Sequence, residues 1–236
     1  NGDFSVSVWI YATTSSGTQS VFSNSGTGSK AGFEIQIDSN DKVRFQRRTR
    51  TLDASTGFDA MGLTLNNWHH IVGTHDEGLN EIKIYFDGVL KETETGSSSV
   101  NLASIDLTIG VSSLIYFFTG NIDELAIWDS VLSAGDVTAI YNSGEPTTIT
   151  GAVSHWRMGE DASFNTNWTV PDQVGSNNGT SANMTVGDLE GEAPNYSSSG
   201  VSNAMTIEDR VGTSPNSDNN AVSLNMAEVD IEADVP

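Results

Sequence analysis

The sequence predicts an all-β sandwich of two antiparallel sheets, and three observations lead there. Apolar and polar residues alternate in short runs: Phe33, Ile35 and Ile37 against Glu34 and Gln36, and Ile82, Ile84 and Phe86 against Lys83 and Tyr85. A period of two is what a strand shows when one face meets a core and the other meets water. Turn chemistry such as Asp38-Ser39-Asn40-Asp41 interrupts these runs roughly every ten residues, a spacing typical of sandwiches and barrels. Residues 1–146 also carry enough apolar side chains for two sheets packed face to face.

Taken in order, Asp3 to Ile10 reads as the first strand. After the turn at 38–41, Val43 and Phe45 alternate with Lys42, Arg44 and Gln46. Trp68 to Thr74 is a further strand, and Ile82 to Phe86 runs into Asp87-Gly88, a hairpin signature. Ile122 to Trp128 alternates as a closing strand, with Asp123, Leu125 and Ile127 on one face and Ile122, Glu124, Ala126 and Trp128 on the other. The period then changes. Ser133 and Asp136 have the spacing of a capping box, in which hydroxyl and carboxylate satisfy N–H groups of a first helical turn. Val137, Ile140 and Tyr141 form an i, i+3, i+4 stripe, and Gly144 is placed to end the helix, so one short helix is expected near 133–142.

Four of these motifs, at residues 3–10, 68–74, 82–88 and 120–144, stand in the order of a known family. Residues 1–146 resemble a LamG-like domain of the concanavalin A-like lectin/glucanase superfamily. The resemblance implies a jelly-roll sandwich. Glu145-Pro146-Thr147-Thr148 marks a boundary, because proline cannot continue the helix before it. Residues 147–180 contain Val153-Ser154-His155-Trp156, Asp172-Gln173-Val174-Gly175 and Asn178-Gly179-Thr180, which resemble the opening strand and loop of a further LamG-like unit. Either a second domain starts there, or the segment folds back and supplies an opening strand to the first.

Residues 181–236 form an acidic tail with a 21-residue repeat in three copies. Ser181, Ser202 and Ser223 share a column, as do Met184, Met205 and Met226; Asp188, Asp209 and Asp230; and Pro194, Pro215 and Pro236. No copy has enough apolar surface for a core of its own, so each must lie against the β-domain, lie against another subunit, or stay extended. This tail is similar to LamG-like structural proteins of marine bacteriophages.

Composition narrows the function. Ten basic and 31 acidic residues give a formal charge of −21, which argues against nucleic acid and anionic membrane as partners. Half of the basic residues nonetheless fall between Lys42 and Arg50. There is no cysteine, so no disulfide scaffold, and no apolar run near the roughly 18 residues of a membrane span. The chain opens at Asn1 rather than Met, as a processed product or a piece of something longer would. An extracellular or virion-surface setting fits an acidic, self-repelling surface.

Two kinds of site are expected. If the strands at 33–37, 42–46 and 82–86 share one sheet, then Glu34, Gln36, Arg44, Gln46, Lys83 and Tyr85 face outward together and form a carbohydrate-binding face of amides, guanidinium and an aromatic ring. A plain solvated sheet face is the bland alternative. The family resemblance further implies calcium as a cofactor at a sheet edge, with Asp123 as a ligand; otherwise Asp123 only bonds backbone groups of an adjoining loop. Tyr116-Phe117-Phe118 is either a stacking platform or part of the core. Catalysis is not expected. The Glu-x-Asp-x-Glu pattern of the superfamily's glucanases is absent, and His69, His70, His75 and His155 form no metal-binding or nucleophile motif, His70 reading as structural.

The expected function is a non-catalytic carbohydrate-recognition or adhesion module of a surface assembly, its tail joining subunits as a homo-oligomer or assembly component. The alternative is a purely structural capsid, fibre or filament protein.

Overall fold

The computed structural model describes residues 2–24, 32–38, 42–48, 53–58, 63–96, 107–112, 115–159, 161–190, 194, 204–207 and 221–224. The strands in chain order are β1 (Phe4–Ala12), β2 (Gln19–Ser23), β3 (Gly32–Ile37), β4 (Val43–Arg48), β5 (Asp53–Phe58), β6 (Trp68–Asp76), β7 (Glu81–Phe86), β8 (Val89–Thr95), β9 (Leu107–Ile109) and β10 (Val111–Ser112). They continue as β11 (Tyr116–Phe117), β12 (Gly120–Trp128), β13 (Ser154–Trp156), β14 (Ser163–Phe164), β15 (Trp168–Val170), β16 (Gly179–Ala182), β17 (Leu189–Glu190), β18 (Ala204–Ile207) and β19 (Ala221–Leu224). One helix, α1 (Ala134–Tyr141), follows β12.

These strands make two sheets. The first has the order β17-β18-β12-β1-β6-β7-β8, with β13 also paired to β12. The second runs β14-β15-β16-β19-β9-β2-β3-β4-β5, with the β10–β11 hairpin joined to β2. Phe4, Val6 and Ile10 from the first sheet meet Phe33, Ile35 and Phe45 from the second, all at most 1 % exposed. Gly73 lets the sheets close. A Cβ there would stand 2.5 Å from the Phe45 ring, so any side chain would hold them apart.

A smaller apolar cluster lies on the outer face of the first sheet, where Val137 of α1 packs with Val72, Tyr85, Trp128 and Leu132. The expected capping box is present: the Ser133 hydroxyl accepts the Asp136 N–H at 3.2 Å, and the Asp136 carboxylate accepts the Ser133 N–H at 2.9 Å. The Ser133 hydroxyl also donates to the carboxylate at 2.6 Å, and that bond, followed by the one from the Ser133 N–H, holds the Asp136 carboxyl below its usual range. The helix ends earlier than Gly144, however. Asn142 adopts the left-handed conformation at φ 44°, a role asparagine fills because it tolerates positive φ, and a 3-10 turn follows.

The closing strand β12 departs from strict alternation. Trp9 is opposite Asp123 but Ser7 is opposite Ala126, so an extra residue bulges out of β12. Glu124 at φ 50° is its pivot. The bulge shifts the phase: Ile122, Leu125 and Ile127 all reach the main core, while Ala126 and Trp128 join the cluster under α1. The sequence pattern had put Asp123 on the face of Leu125 and Ile127; the structure puts it opposite Trp9 instead.

Residues 153–190 fold back into the same sandwich. β13 pairs with β12, Trp156 opposite Leu125 and His155 opposite Ala126. Trp156, Met158, Trp168, Val170 and Met184 belong to the same core as Phe4 and Ile35. The loop after β15 is wound around Asp172, whose Oδ1 accepts the N–H groups of His155, Val174 and Gly175 at 3.0–3.1 Å. Burial pushes the Asp172 carboxyl up, but the N–H groups of His155 and Gly175 and the Ser154 hydroxyl outweigh it and hold the group below its usual range.

Equivalent positions of the tail repeat are not all placed alike. Met184 sits in a loop and fills the core, while its equivalent Met205 lies in β18, paired with β12 and β17 in the first sheet. The third copy supplies β19 to the second sheet, between β16 and β9.

Candidate functional site

The sequence expected six outward residues on one sheet, and the structure divides them. Glu34, Gln36, Arg44 and Gln46 are on β3 and β4 of the second sheet, whereas Lys83 and Tyr85 are on β7 of the first. Alternation fixes which residues share a face of a strand but not which sheet takes the strand; β7 is claimed by β6 through the turn at 77–80 that joins them. Tyr85 is packed beneath α1 at 3 % exposure, and burial raises its phenol above the usual range. Lys83 is bound to Glu81, a hydrogen bond that raises the ammonium pKa. Neither belongs to a face with Arg44.

The other four form a block. Glu34 is opposite Gln46 and Gln36 is opposite Arg44 in the β3–β4 ladder. Directly opposed side chains stand about 5 Å apart, and the step to the next pair on the same face is about 7 Å. The block extends onto β2, where Ser23 is opposite Glu34 and Ser20 opposite Gln36. Beyond β2 the second row meets the β11 hairpin, with Phe117 level with Ser20. The aromatic triplet is thereby split: Phe118 is fully buried in the core, while Tyr116 is 40 % exposed and Phe117 half-buried at the end of the polar row. This placement escaped sequence reading, because a two-residue strand has no period to detect.

Exposure within the block is uneven. Glu34, Gln36 and Gln46 are nearly closed to solvent, contrary to the open face that alternation suggested. Interior strands with polar neighbours on both sides leave these side chains as a floor rather than a rim. Arg44 keeps about a third of its side chain exposed, 32 %, and its guanidinium meets Asp38 at 2.8 Å. The side chains of Arg47 and Arg48, and Arg50 altogether, lie outside the described residues.

Asp123 was the expected calcium ligand. It is fully buried, and its Oδ1 accepts the N–H of Glu124, the next residue of the same strand, at 2.8 Å. Beside it the Glu124 carboxylate bonds His155 Nε2 at 2.6 Å and Arg157 Nε at 3.2 Å, so its oxygens face cationic or N–H groups. Among the described residues no three carboxylate or imidazole groups gather in a way that could hold a metal ion.

Two histidines tie separate segments together. Thr64 Oγ1, His69 and Asp87 stand in line, with 2.9 Å from the hydroxyl to Nε2 and 2.9 Å from Nδ1 to the carboxylate. Those are the distances of a nucleophile–base–acid triad. Yet Nε2 also accepts the backbone N–H of Thr64 at 3.1 Å, and the other Asp87 oxygen accepts the N–H of His70 at 2.9 Å. The imidazole therefore clamps the loop before β6 to the β7–β8 turn. His70 lies fully buried against Trp9 and Tyr141, with its Nε2 2.7 Å from the Ser7 hydroxyl.

A two-sheet sandwich with a polar, aromatic-edged outer sheet face is the architecture of lectin-like domains. The chain belongs to the concanavalin A-like lectin/glucanase superfamily, whose family profile matches residues 1–138. No curated protein matches the sequence. Among solved structures, the carbohydrate-binding module of a Ruminococcus gnavus sialidase, bound to α2,3-sialyllactose, aligns at 16 % identity with a TM-score of 0.53, covering 59 % of this chain and 83 % of that one. Domain 4 of an extracellular arabinanase from Geobacillus stearothermophilus, in complex with arabinotriose, aligns at 18 % identity and TM-score 0.50, covering 59 % and 66 %. A Bacteroides ovatus protein provisionally described as carbohydrate-binding aligns at 14 % identity and TM-score 0.59, covering 76 % of this chain and 51 % of its own. At these identities the likeness is one of fold. Among the described residues no helix is long and apolar enough to cross a membrane.

Proposed function

We propose that this protein is a non-catalytic glycan-recognition module, with its site on the outer face of the second sheet around Gln36 and Arg44. The observation that carries this reading is one row: Phe117, Ser20, Gln36 and Arg44 stand in register across four strands. Sugars present hydroxyls to planar polar groups and C–H faces to aromatic rings; Phe117 and Arg44 are the accessible ends of this row, with Ser20 and Gln36 buried between them, and three strand spacings, roughly 14 Å, separate the two ends, the reach of a short oligosaccharide. The sialyllactose- and arabinotriose-bound modules of the same fold support it. A glycan array with the purified protein tests it, followed by titration of the best ligand. Arg44→Ala is expected to weaken binding about tenfold or more, the loss of roughly one charge-assisted hydrogen bond, while Lys83→Ala leaves it unchanged. Equal affinities for wild type and Arg44→Ala would move the site elsewhere. The same incubations with β-glucans release no reducing ends above buffer.

The reading extends to an extracellular or virion-surface assembly in which the tail joins subunits. Support comes from the net charge of −21 and from repeat strands that enter both sheets by main-chain pairing. Calcium at Asp123 is a separate proposal carried by family resemblance. Adding calcium would then raise the melting temperature, since a ligand of the folded state stabilises it, and Asp123→Ala would abolish the rise. Superimposable melting curves in calcium and in chelator remove the ion.

A further inference from the structure

β16 and β19 stand at the same place in the 21-residue repeat. Ser181 and Ser223 share a column two repeats apart, and each strand runs from two residues before its serine to one after. These equivalent strands lie side by side and antiparallel: Gly179 is opposite Leu224, Thr180 opposite Ser223, Ser181 opposite Val222 and Ala182 opposite Ala221. A strand that pairs antiparallel with its own repeat is self-complementary about a local twofold. Two identical chains stand in that same relation across a C2 interface.

The other edge of β19 pairs with β9, Val222 opposite Ile109 and Leu224 opposite Leu107. The slot between β16 and β9 thus recognises a four-residue strand largely through main-chain hydrogen bonds, which any chain carrying the repeat supplies. Its present occupant comes from far away. β18 ends at Ile207 in the first sheet, and residues 208–220 connect it to β19 in the second. Fully extended, that connection could reach about 45 Å, farther than a crossing between packed sheets about 10 Å apart requires.

We propose that the slot between β16 and β9 is a strand-exchange site, filled in the assembled protein by residues 221–224 of a second copy of this chain. The second copy receives the corresponding strand in return, so every ladder hydrogen bond is conserved and only the connection changes course. The charge of −21 on each chain opposes their approach, so exchange increases with ionic strength. The inference rests on the assembly part of the function proposed above and is independent of its glycan site.

The sequence has no cysteine, which makes the test direct. Thr180→Cys carrying one affinity tag and Ser223→Cys carrying another are mixed at high salt and treated with a short bis-maleimide. The expected result is a cross-linked heterodimer several-fold more abundant than the homodimer of either variant alone, with a light-scattering mass of two or more chains for the wild type. The proposal is overturned if heterodimer does not exceed homodimer while the Thr180→Cys/Ser223→Cys double variant cross-links within single chains. A monomeric wild-type mass at every concentration and salt level overturns it too, whether or not a variant folds. Glycan binding by the wild type is read separately, so the two failures are distinguishable.

Discussion

Replacing Trp156 by alanine is expected to destabilise the protein by about 3–5 kcal/mol, the range for emptying a large aromatic site in a core. Trp156 is 0 % exposed, is opposite Leu125 in the β12–β13 ladder, and its indole N–H donates to the Asn177 carbonyl at 2.7 Å. Alanine would leave a cavity and remove the partner of a half-buried carbonyl together. Set against the 5–15 kcal/mol of a typical domain, that is near-loss of the fold. The site lies beyond residue 138, where the family match ends, so the effect measures whether residues 153–190 are part of the sandwich. Phe164→Ala, at a ring 38 % exposed, is the control and should cost far less. A denaturation midpoint for Trp156→Ala equivalent to under about 1 kcal/mol would show that the sandwich stands without this segment.

Mild acid is expected to weaken the protein through His70. Burial pushes its imidazole from the ordinary 6.5 down to about 3, against the pull of the Asp87 carboxylate the other way. The folded state therefore refuses a proton that the unfolded chain accepts. Stability from this group is complete above pH 6.5 and is lost as pH falls from 6.5 toward 3. Each pH unit within that window is worth about 1.4 kcal/mol, so going from pH 7 to pH 5 should cost roughly 2 kcal/mol before most carboxylates titrate. His70→Gln keeps an N–H near the Ser7 hydroxyl but cannot take the proton, and it should flatten the dependence of melting temperature on pH in that interval. A wild-type melting temperature constant between pH 7 and pH 5 would contradict the burial of this ring.

Much of the fold was legible because its long strands carry a clean period of two. The capping box at Ser133 and Asp136 was legible too, since its geometry is local. What escaped depends on contacts distant in sequence. The bulge at Glu124 cannot be read from alternation, because an inserted residue leaves the apolar count intact and changes only its phase. Asn142 rather than Gly144 ends the helix, a choice between two residues that both tolerate positive φ. The placement of Lys83 and Tyr85 failed for a different reason: a hairpin shows that two strands are neighbours and says nothing about which sheet they enter. Glu34, Gln36 and Gln46 were correctly placed on an outer face and wrongly expected to be open, since their near-closure depends on what flanks them in the finished sheet. β18 and β19 were invisible as strands because four residues are too few to show a period.

The late arrival of those two strands sets the order in which the molecule can be made. As synthesis passes residue 146, β12 and β9 have their partners on one side only, β1 and β2, and each presents an open edge. β12 must wait for β13 and β18, and β9 for β19. Pairing β9 with β19 joins residues 107–109 to residues 222–224, a separation of nearly half the chain. Such long-range closures are slow, and uncovered edges invite pairing with other nascent chains in the interval. Residues 204–224, made long after the strands they pair with, are therefore the ones that seal the sheets. Yield of the protein should depend more on temperature and expression rate than its final stability would suggest, because the vulnerable species is the chain still waiting for residues 204–207 and 221–224.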